Sequence, residues 1–287
     1  MPVYRSYDQA ALDAQYDNGR ATPDHPRWTD AWPPASAAAR AQLGGRLNLA
    51  YGTGARQTLD FFPAPAPDAP ILIFIHGGYW RARDKSDFTF VAPAYVTKGA
   101  AVVMAGYPLA PAVTMDEIVA SLRSAVTWVF HNARSFGADP GRIHIAGHSA
   151  GGHLAAMMLS TDWKAHGLPA DLVKGACGIS GLYDLEPIQL CFLNQDLRMT
   201  PATARANSPL HLVPAVAGPL ILAVGGKETD ELRRQQQAYA DAWRGAGLPL
   251  TIVPLPDDQH FSILDSFCDP ANPLFQAVWR QISGSAR

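Results

Sequence analysis

The residues best equipped for chemistry lie in "IAGHSAGGHLA", Ile145 to Ala155, where Gly147, Ser149 and Gly151 form a G-x-S-x-G pattern. A serine set between two glycines, after an apolar run and before a helix-forming one, fits a sharp strand-to-helix turn that lifts the hydroxyl above a sheet. Such a serine is a nucleophile for acyl transfer once a neighbouring base takes its proton. Acyl transfer also needs N–H donors for the tetrahedral oxyanion. "FIHGGYW", Phe74 to Trp80, supplies a glycine pair directly after an apolar run. The expected donors are the backbone N–H groups of Gly78 and Tyr79, with that of Ala150 at the helix start behind the serine. Gly77 is read as the turn residue and His76 as a structural hydrogen-bonding group.

The base should be a histidine, whose ordinary pKa near 6.5 suits proton exchange at neutral pH. Of nine histidines, His260 alone follows the last strand-like run, in "LPDDQHFSILD". In sheets carrying a serine on this kind of turn the chain order is serine, acid, histidine, so a late histidine fits. His144, His148 and His153 do not share one face of one element, so no metal site is expected. The acid should follow "PLILAVG". The loop there reads Gly226-Lys227-Glu228-Thr229-Asp230-Glu231. Glu231 lies inside the next helix and Asp230 is placed to act as its N-cap, which leaves Glu228 as the better partner for His260.

The elements that must position these groups alternate. Short apolar runs expected of buried strands cover Thr58–Phe62, Ile71–Ile75, Ala100–Ala105, Arg142–Gly147, Val173–Ser180, Pro219–Gly225 and Leu250–Leu255. Between them helices are expected over Phe88–Lys98, Met115–Phe136, Glu231–Ala246 and Leu274–Ile282. This alternation gives a single α/β domain with a mainly parallel sheet covered by helices on both faces. Residues 1–45, polar and dotted with aromatics, are read as an N-terminal arm that is either a surface segment or a cover over the site. "YDQAALDAQYDN" within them suits a short helix. The stretch 182–214 has breakers and no strand pattern, and its length suggests a cap-like insertion.

Bulk properties narrow the function. The chain has 287 residues, 48% hydrophobic and 17% charged, with a formal net charge of −2. Near-neutral charge without a basic run argues against nucleic acid as a partner. No apolar stretch reaches the roughly 18 residues of a spanning helix. The N-terminus has no apolar signal-like core, so a cytoplasmic location is expected. Cys177, Cys191 and Cys268 are widely spaced and read as reduced thiols.

Together "HGGYW", "GHSAGGHLAA", "YPLAP", "SGLYDLEP" and "DELRRQQQAYADAW" followed by "DDQHFSILD" resemble the kynurenine formamidase (arylformamidase) branch of the α/β-hydrolase esterases, over essentially the whole chain. That branch goes with the hormone-sensitive-lipase-like enzymes carrying an H-G-G-x-W motif. The resemblance implies an α/β-hydrolase fold with a mainly parallel eight-stranded sheet. It implies a serine hydrolase acting on small carboxyl esters or N-formyl aryl amides, without a cofactor. The family's acid is usually Asp, and its register ahead of the "RRQQ" helix falls on Glu228, one methylene longer. Trp80, Tyr107 and Phe192 are expected to contact substrate, with packing on the sheet edge as the alternative for Trp80. The expected partner is a small-molecule ester or amide, with no membrane involved, and homodimer formation stays open. An acyltransferase using the same residues, and a non-catalytic binding protein on the same fold, are the rival readings.

Overall fold

A computed structural model describes residues 1–284, and in it eight strands form one sheet in the order β1-β2-β4-β3-β5-β6-β7-β8. The strands are β1 (Arg46–Ala50), β2 (Thr58–Phe62), β3 (Ala69–Ile75), β4 (Ala101–Ala105), β5 (Ala138–His148), β6 (Val173–Ile179), β7 (Leu220–Gly225) and β8 (Leu250–Leu255). β1 and β2 pair antiparallel at one edge, and β4 to β8 with β3 run parallel. The architecture is the mainly parallel α/β sheet expected from the alternating runs and the α/β-hydrolase core that the family resemblance implies, with flanking helices and an inserted helical region.

The continuous apolar runs resolve into two alternating faces. Ile71, Ile73 and Ile75 of β3 join one core cluster with Ile143, Ile145 and Leu222. Leu72 and Phe74 point the other way and join Val102, Met104 and Ile179. A strand buried on both faces has no polar side to show, which is why these segments read as runs rather than as alternation. The helix Met115–Asn132 shows its 3.6-residue period by burying Ile118, Leu122, Ala125 and Val129. Its N-terminus is a capping box in which Thr114 and Glu117 each bond the other's backbone N–H.

Some elements differ from the sequence reading. The segment expected as one helix over Phe88–Lys98 is a 3₁₀ turn, Lys85–Val91, followed by the α-helix Ala92–Lys98. Helix Met115–Asn132 likewise ends in a 3₁₀ turn over Ala133–Phe136. β1 carries no readable signal, because "RLNLA" is an edge strand with mostly exposed side chains and Asn48 at a φ of 56°.

The first residues hold four short helices: Gln9–Tyr16, Asn18–Ala21, Pro26–Thr29 and Trp32–Leu43. Stretch 182–214 holds three more, Glu186–Leu190, Asn194–Leu197 and Pro201–Ala206, and contains no strand. Among the described residues no helix is long and apolar enough to cross a membrane.

The antiparallel edge is tied to the chain beyond β3 by a buried ion pair. Lys85 Nζ lies 2.6 Å from Asp60 Oδ1 and 2.8 Å from Asn48 Oδ1, and Asp60 also accepts the Asn48 N–H. Lys85 and Asp60 are 4% and 1% exposed, so water screens neither charge. Removing one partner of such a pair costs about 3–5 kcal/mol because the other charge is stranded. Lys85→Met should therefore lower the urea-unfolding free energy by about 3 kcal/mol, and Lys85→Met/Asp60→Leu should recover most of it. Equal losses in the single and double variants would contradict this account.

Candidate active site

All the residues with chemical potential arrive at the carboxyl ends of the parallel strands. The chain beyond β3 brings Gly77, Gly78 and Tyr79, and the turn after β5 brings Ser149. Ser180 follows β6, Glu228 follows β7, and His260 follows β8. Because β3 and β5 are neighbours in the sheet, the glycine loop and the serine are held side by side by the ladder itself.

Ser149 sits between β5 and the helix Ala150–Leu159 at φ 57° and ψ −121°, a backbone conformation that L-residues rarely adopt. Close packing enforces it. A Cβ on Gly147 would lie 2.0 Å from the Gly151 carbonyl oxygen, and one on Gly151 would lie 1.9 Å from that of Ile75. Only glycine permits both approaches. The Ser149 N–H donates to the Ile179 carbonyl at 2.8 Å, anchoring the turn to β6.

His260 Nε2 lies 3.1 Å from Ser149 Oγ, and His260 Nδ1 lies 2.7 Å from Glu228 Oε2. A carboxylate opposite Nδ1 places the proton on that nitrogen, leaving Nε2 as the acceptor for the serine hydroxyl. The Glu228 carboxylate also accepts the Gly225 N–H at 2.7 Å and the Ser180 hydroxyl at 2.5 Å. It is buried, with three hydrogen-bond partners that hold it in place. The longer glutamate arm is accommodated because its carboxylate turns back onto the end of its own strand. Asp230 is the first residue of the helix Asp230–Gly245 and pairs with Arg233 near the surface, away from His260. The expected capping role of Asp230 does not occur: Thr229 holds the N-cap position, and its side chain does not cap the helix.

Among the described residues, the backbone N–H groups of Gly78, Tyr79 and Ala150 donate to no protein acceptor. Ala150 opens a helix, where the first N–H groups have no intrahelical partner. Stabilising negative charge on a substrate oxygen requires free N–H donors of this kind near the nucleophile.

Two of the residues expected at the substrate, Trp80 and Tyr107, do not border the cavity that holds Ser149. Trp80 has no exposed surface, and its Nε1–H donates to His153 Nδ1 at 3.1 Å. His153 in turn donates from Nε2 to the Asn207 carbonyl at 2.7 Å. Tyr107 is also fully buried, donating its hydroxyl to the His76 carbonyl at 2.9 Å with its ring 4.4 Å from that imidazole. Both support the loop beyond β3 from behind, because large rings beside a strand end fill the layer under the loop. Phe192 does line the cavity above Ser149. This cavity has a volume of about 260 Å³, and Tyr79, Phe88, Phe192 and Phe261 give it aromatic walls. Asp17, Asn18 and Gly19 of the N-terminal segment also border it.

Sequence reasoning missed Ser180, which has no motif of its own, and His148. The His148 Nε2–H donates to the His260 carbonyl at 2.7 Å and fixes the histidine loop over the serine turn. Among the described residues no cluster of three or more His, Cys, Asp or Glu side chains could hold a metal ion.

Burial keeps the supporting imidazoles neutral. His76, His144 and His153 are each lowered to about 4 by desolvation, and His148 is pushed well below its ordinary value by burial and then by the adjacent His260. In the unfolded chain these groups take up a proton near pH 6.5, so between that pH and about 4 the unfolded state binds more protons. Their contribution to stability is complete above about pH 6.5 and is lost as pH falls towards 4, by up to about 1.4 kcal/mol per pH unit for each histidine. Urea unfolding should therefore show a clear loss of stability from pH 7 to pH 5, reduced in His153→Gln. A flat profile over that interval would contradict the burial of neutral imidazoles.

Comparison with known proteins agrees with this architecture. The BD-FAE family model matches residues 59–240. The chain is 35% identical over 247 residues to a kynurenine formamidase of Salmo salar, covering 83% of this chain and 82% of that protein. It is 32% identical over 298 residues to a kynurenine formamidase of Danio rerio, covering 99% and 100%. The solved structure of a candidate thioesterase from Silicibacter sp. TM1040 superposes with a TM-score of 0.83 at 31% identity, covering 93% of this chain and 98% of that one.

Proposed function

This chain belongs to the BD-FAE family, and we propose that within it the protein is a serine hydrolase cleaving small carboxyl esters or N-formyl aryl amides through an acyl-enzyme on Ser149. The observation that carries the reading is the continuous run of hydrogen bonds from Glu228 through His260 to Ser149, ending beside three unpaired N–H donors. In this reading His260 Nε2 takes the Ser149 proton as Oγ attacks the substrate carbonyl. Glu228 stabilises the imidazolium that forms, and the N–H groups of Gly78, Tyr79 and Ala150 hold the oxyanion. The imidazolium then protonates the departing alcohol or aryl amine, and a water activated by the same imidazole releases the acid.

Substrate size and shape follow from the cavity. Its volume lies at the small end for ligand sites and its walls are aromatic, which suits a planar leaving group or a short acyl chain. Two of the similar proteins are kynurenine formamidases and a third is a candidate thioesterase, so the shared requirement is an activated acyl or formyl carbon. Nothing in the cavity demands a formyl group, and we favour general esterase activity over dedicated arylformamidase activity on N-formylkynurenine. We further propose that residues 1–45 act as an arm over the site, that stretch 182–214 acts as a small cap, and that the protein works in the cytoplasm.

Purified protein should hydrolyse short p-nitrophenyl esters and N-formylkynurenine, and Ser149→Ala should lower kcat by at least about 10³-fold with the fold intact. A Ser149→Ala variant retaining more than about a tenth of the activity would overturn the assignment. Glu228→Gln should cost on the order of 10²–10⁴-fold in kcat, whereas Asp230→Asn, placed near the surface, should cost less than about threefold. The reverse order would move the acid two residues along the chain. Selective hydrolysis of long-chain triglycerides, with no turnover of short esters or formamides, would contradict the size argument.

A further inference from the structure

The helix behind Glu228 begins with an unused cap. Thr229 is at its N-cap position with extended backbone, the usual arrangement for a threonine hydroxyl to accept a first-turn N–H, yet it makes no such bond. Its hydroxyl donates instead to the carbonyl of Gln15, 214 positions away in sequence, at 2.8 Å. The Gln15 side-chain oxygen accepts the Glu231 N–H at 3.1 Å. The N-terminal helix Gln9–Tyr16 thus supplies from outside the cap that Thr229 would otherwise supply locally.

The next residue of that helix, Tyr16, reaches the other side of the site. Tyr79 donates its hydroxyl to the Tyr16 carbonyl at 2.8 Å. Burial pushes the Tyr79 phenol well above its ordinary range, so the hydroxyl stays a donor. The Tyr16 hydroxyl donates to Glu231 Oε2 at 3.1 Å and accepts from Gln235 Nε2 at 2.9 Å. With Leu12 and Tyr16 fully buried, this end of the arm is packed core rather than a loose cover.

We infer that Gln15 and Tyr16 form a positioning clasp that fixes the oxyanion loop through the Tyr79 hydroxyl and the acid loop through Thr229 and Glu231. The inference rests on the serine-hydrolase reading above and adds to it a role for a segment remote in sequence from every reacting group. Tyr79 is at φ 49°, a strained conformation that needs an external restraint to keep its N–H aimed at the oxyanion. Its hydroxyl bond to the arm is that restraint. Tyr16 and the Tyr79 ring border the cavity, but the bonds of the clasp all run to protein groups, so Gln15 and the Tyr79 hydroxyl are positioning groups. A loop free to drift by a fraction of an ångström loses transition-state stabilisation while ground-state binding is largely kept.

The test compares wild type, Tyr79→Phe and Gln15→Ala on p-nitrophenyl acetate and N-formylkynurenine, and measures inhibition by phenyl trifluoromethyl ketone, whose adduct on Ser149 places an oxyanion among the same donors. Tyr79→Phe should lower kcat by about 10–100-fold with KM within about threefold, and weaken the ketone by the same factor. Gln15→Ala should lower kcat by at least about threefold, likewise at nearly constant KM. With wild type turning over normally, the clasp is overturned if both variants stay within twofold of it. It is equally overturned if the Tyr79→Phe activity falls while ketone affinity holds. A wild type inert toward both substrates overturns the hydrolase reading and the clasp together.

Discussion

The close passage of the Gly147–Gly151 turn against the end of β3 is the constraint on which the site depends. Carbonyl oxygens of Gly151 and Ile75 occupy the space where side chains at Gly147 and Gly151 would begin. That contact bends the chain sharply enough to put Ser149 at a positive φ and its hydroxyl above the sheet. It also starts the helix Ala150–Leu159 at the residue after the serine, next to the strand β3 from which the glycine loop departs. Strain at Ser149 is tolerated because β5 is a central strand, paired on both sides with β3 and β6.

Around that point the polar groups divide into two kinds. Those that orient others make specific bonds: Glu228 has three partners, and His148 and His153 each spend a ring N–H on a backbone carbonyl. Those that would meet a reacting oxygen are left without partners. Buried donors are costly to leave unmade, so an unpaired set next to a serine is a feature that folding alone does not favour. The neutral histidines add to this division. With His76, His148 and His153 held uncharged by burial, they leave no imidazolium to compete for the developing negative charge.

Much of this was legible in the sequence because the informative residues lie close to strand ends. Ser149, Gly78, Tyr79 and His260 are each within five residues of a strand, and strand runs are the clearest pattern in this chain. Glu228 was separable from Asp230 because a helix start was visible after it. Trp80 and Tyr107 were misplaced for a related reason: sequence shows nearness to a strand end but not whether a ring points up into the cavity or back into the layer beneath. Ser180, and the bonds from Gln15 to Thr229 and Glu231, join segments far apart in the chain through single polar contacts, which leave no periodic signal. β1 escaped notice because an edge strand needs no apolar face.

The central claim is that Ser149 carries the acyl group between two half-reactions. Acid quenching of the wild-type protein during steady-state turnover of p-nitrophenyl acetate, followed by peptide mapping with mass spectrometry, measures this directly. The account predicts one acetyl group on the peptide containing Ser149, accompanied by a burst of p-nitrophenol close to one equivalent if deacylation is the slower step. Sustained turnover with the acetyl group on another residue would contradict it, as would a Ser149→Ala variant that still accumulates the adduct.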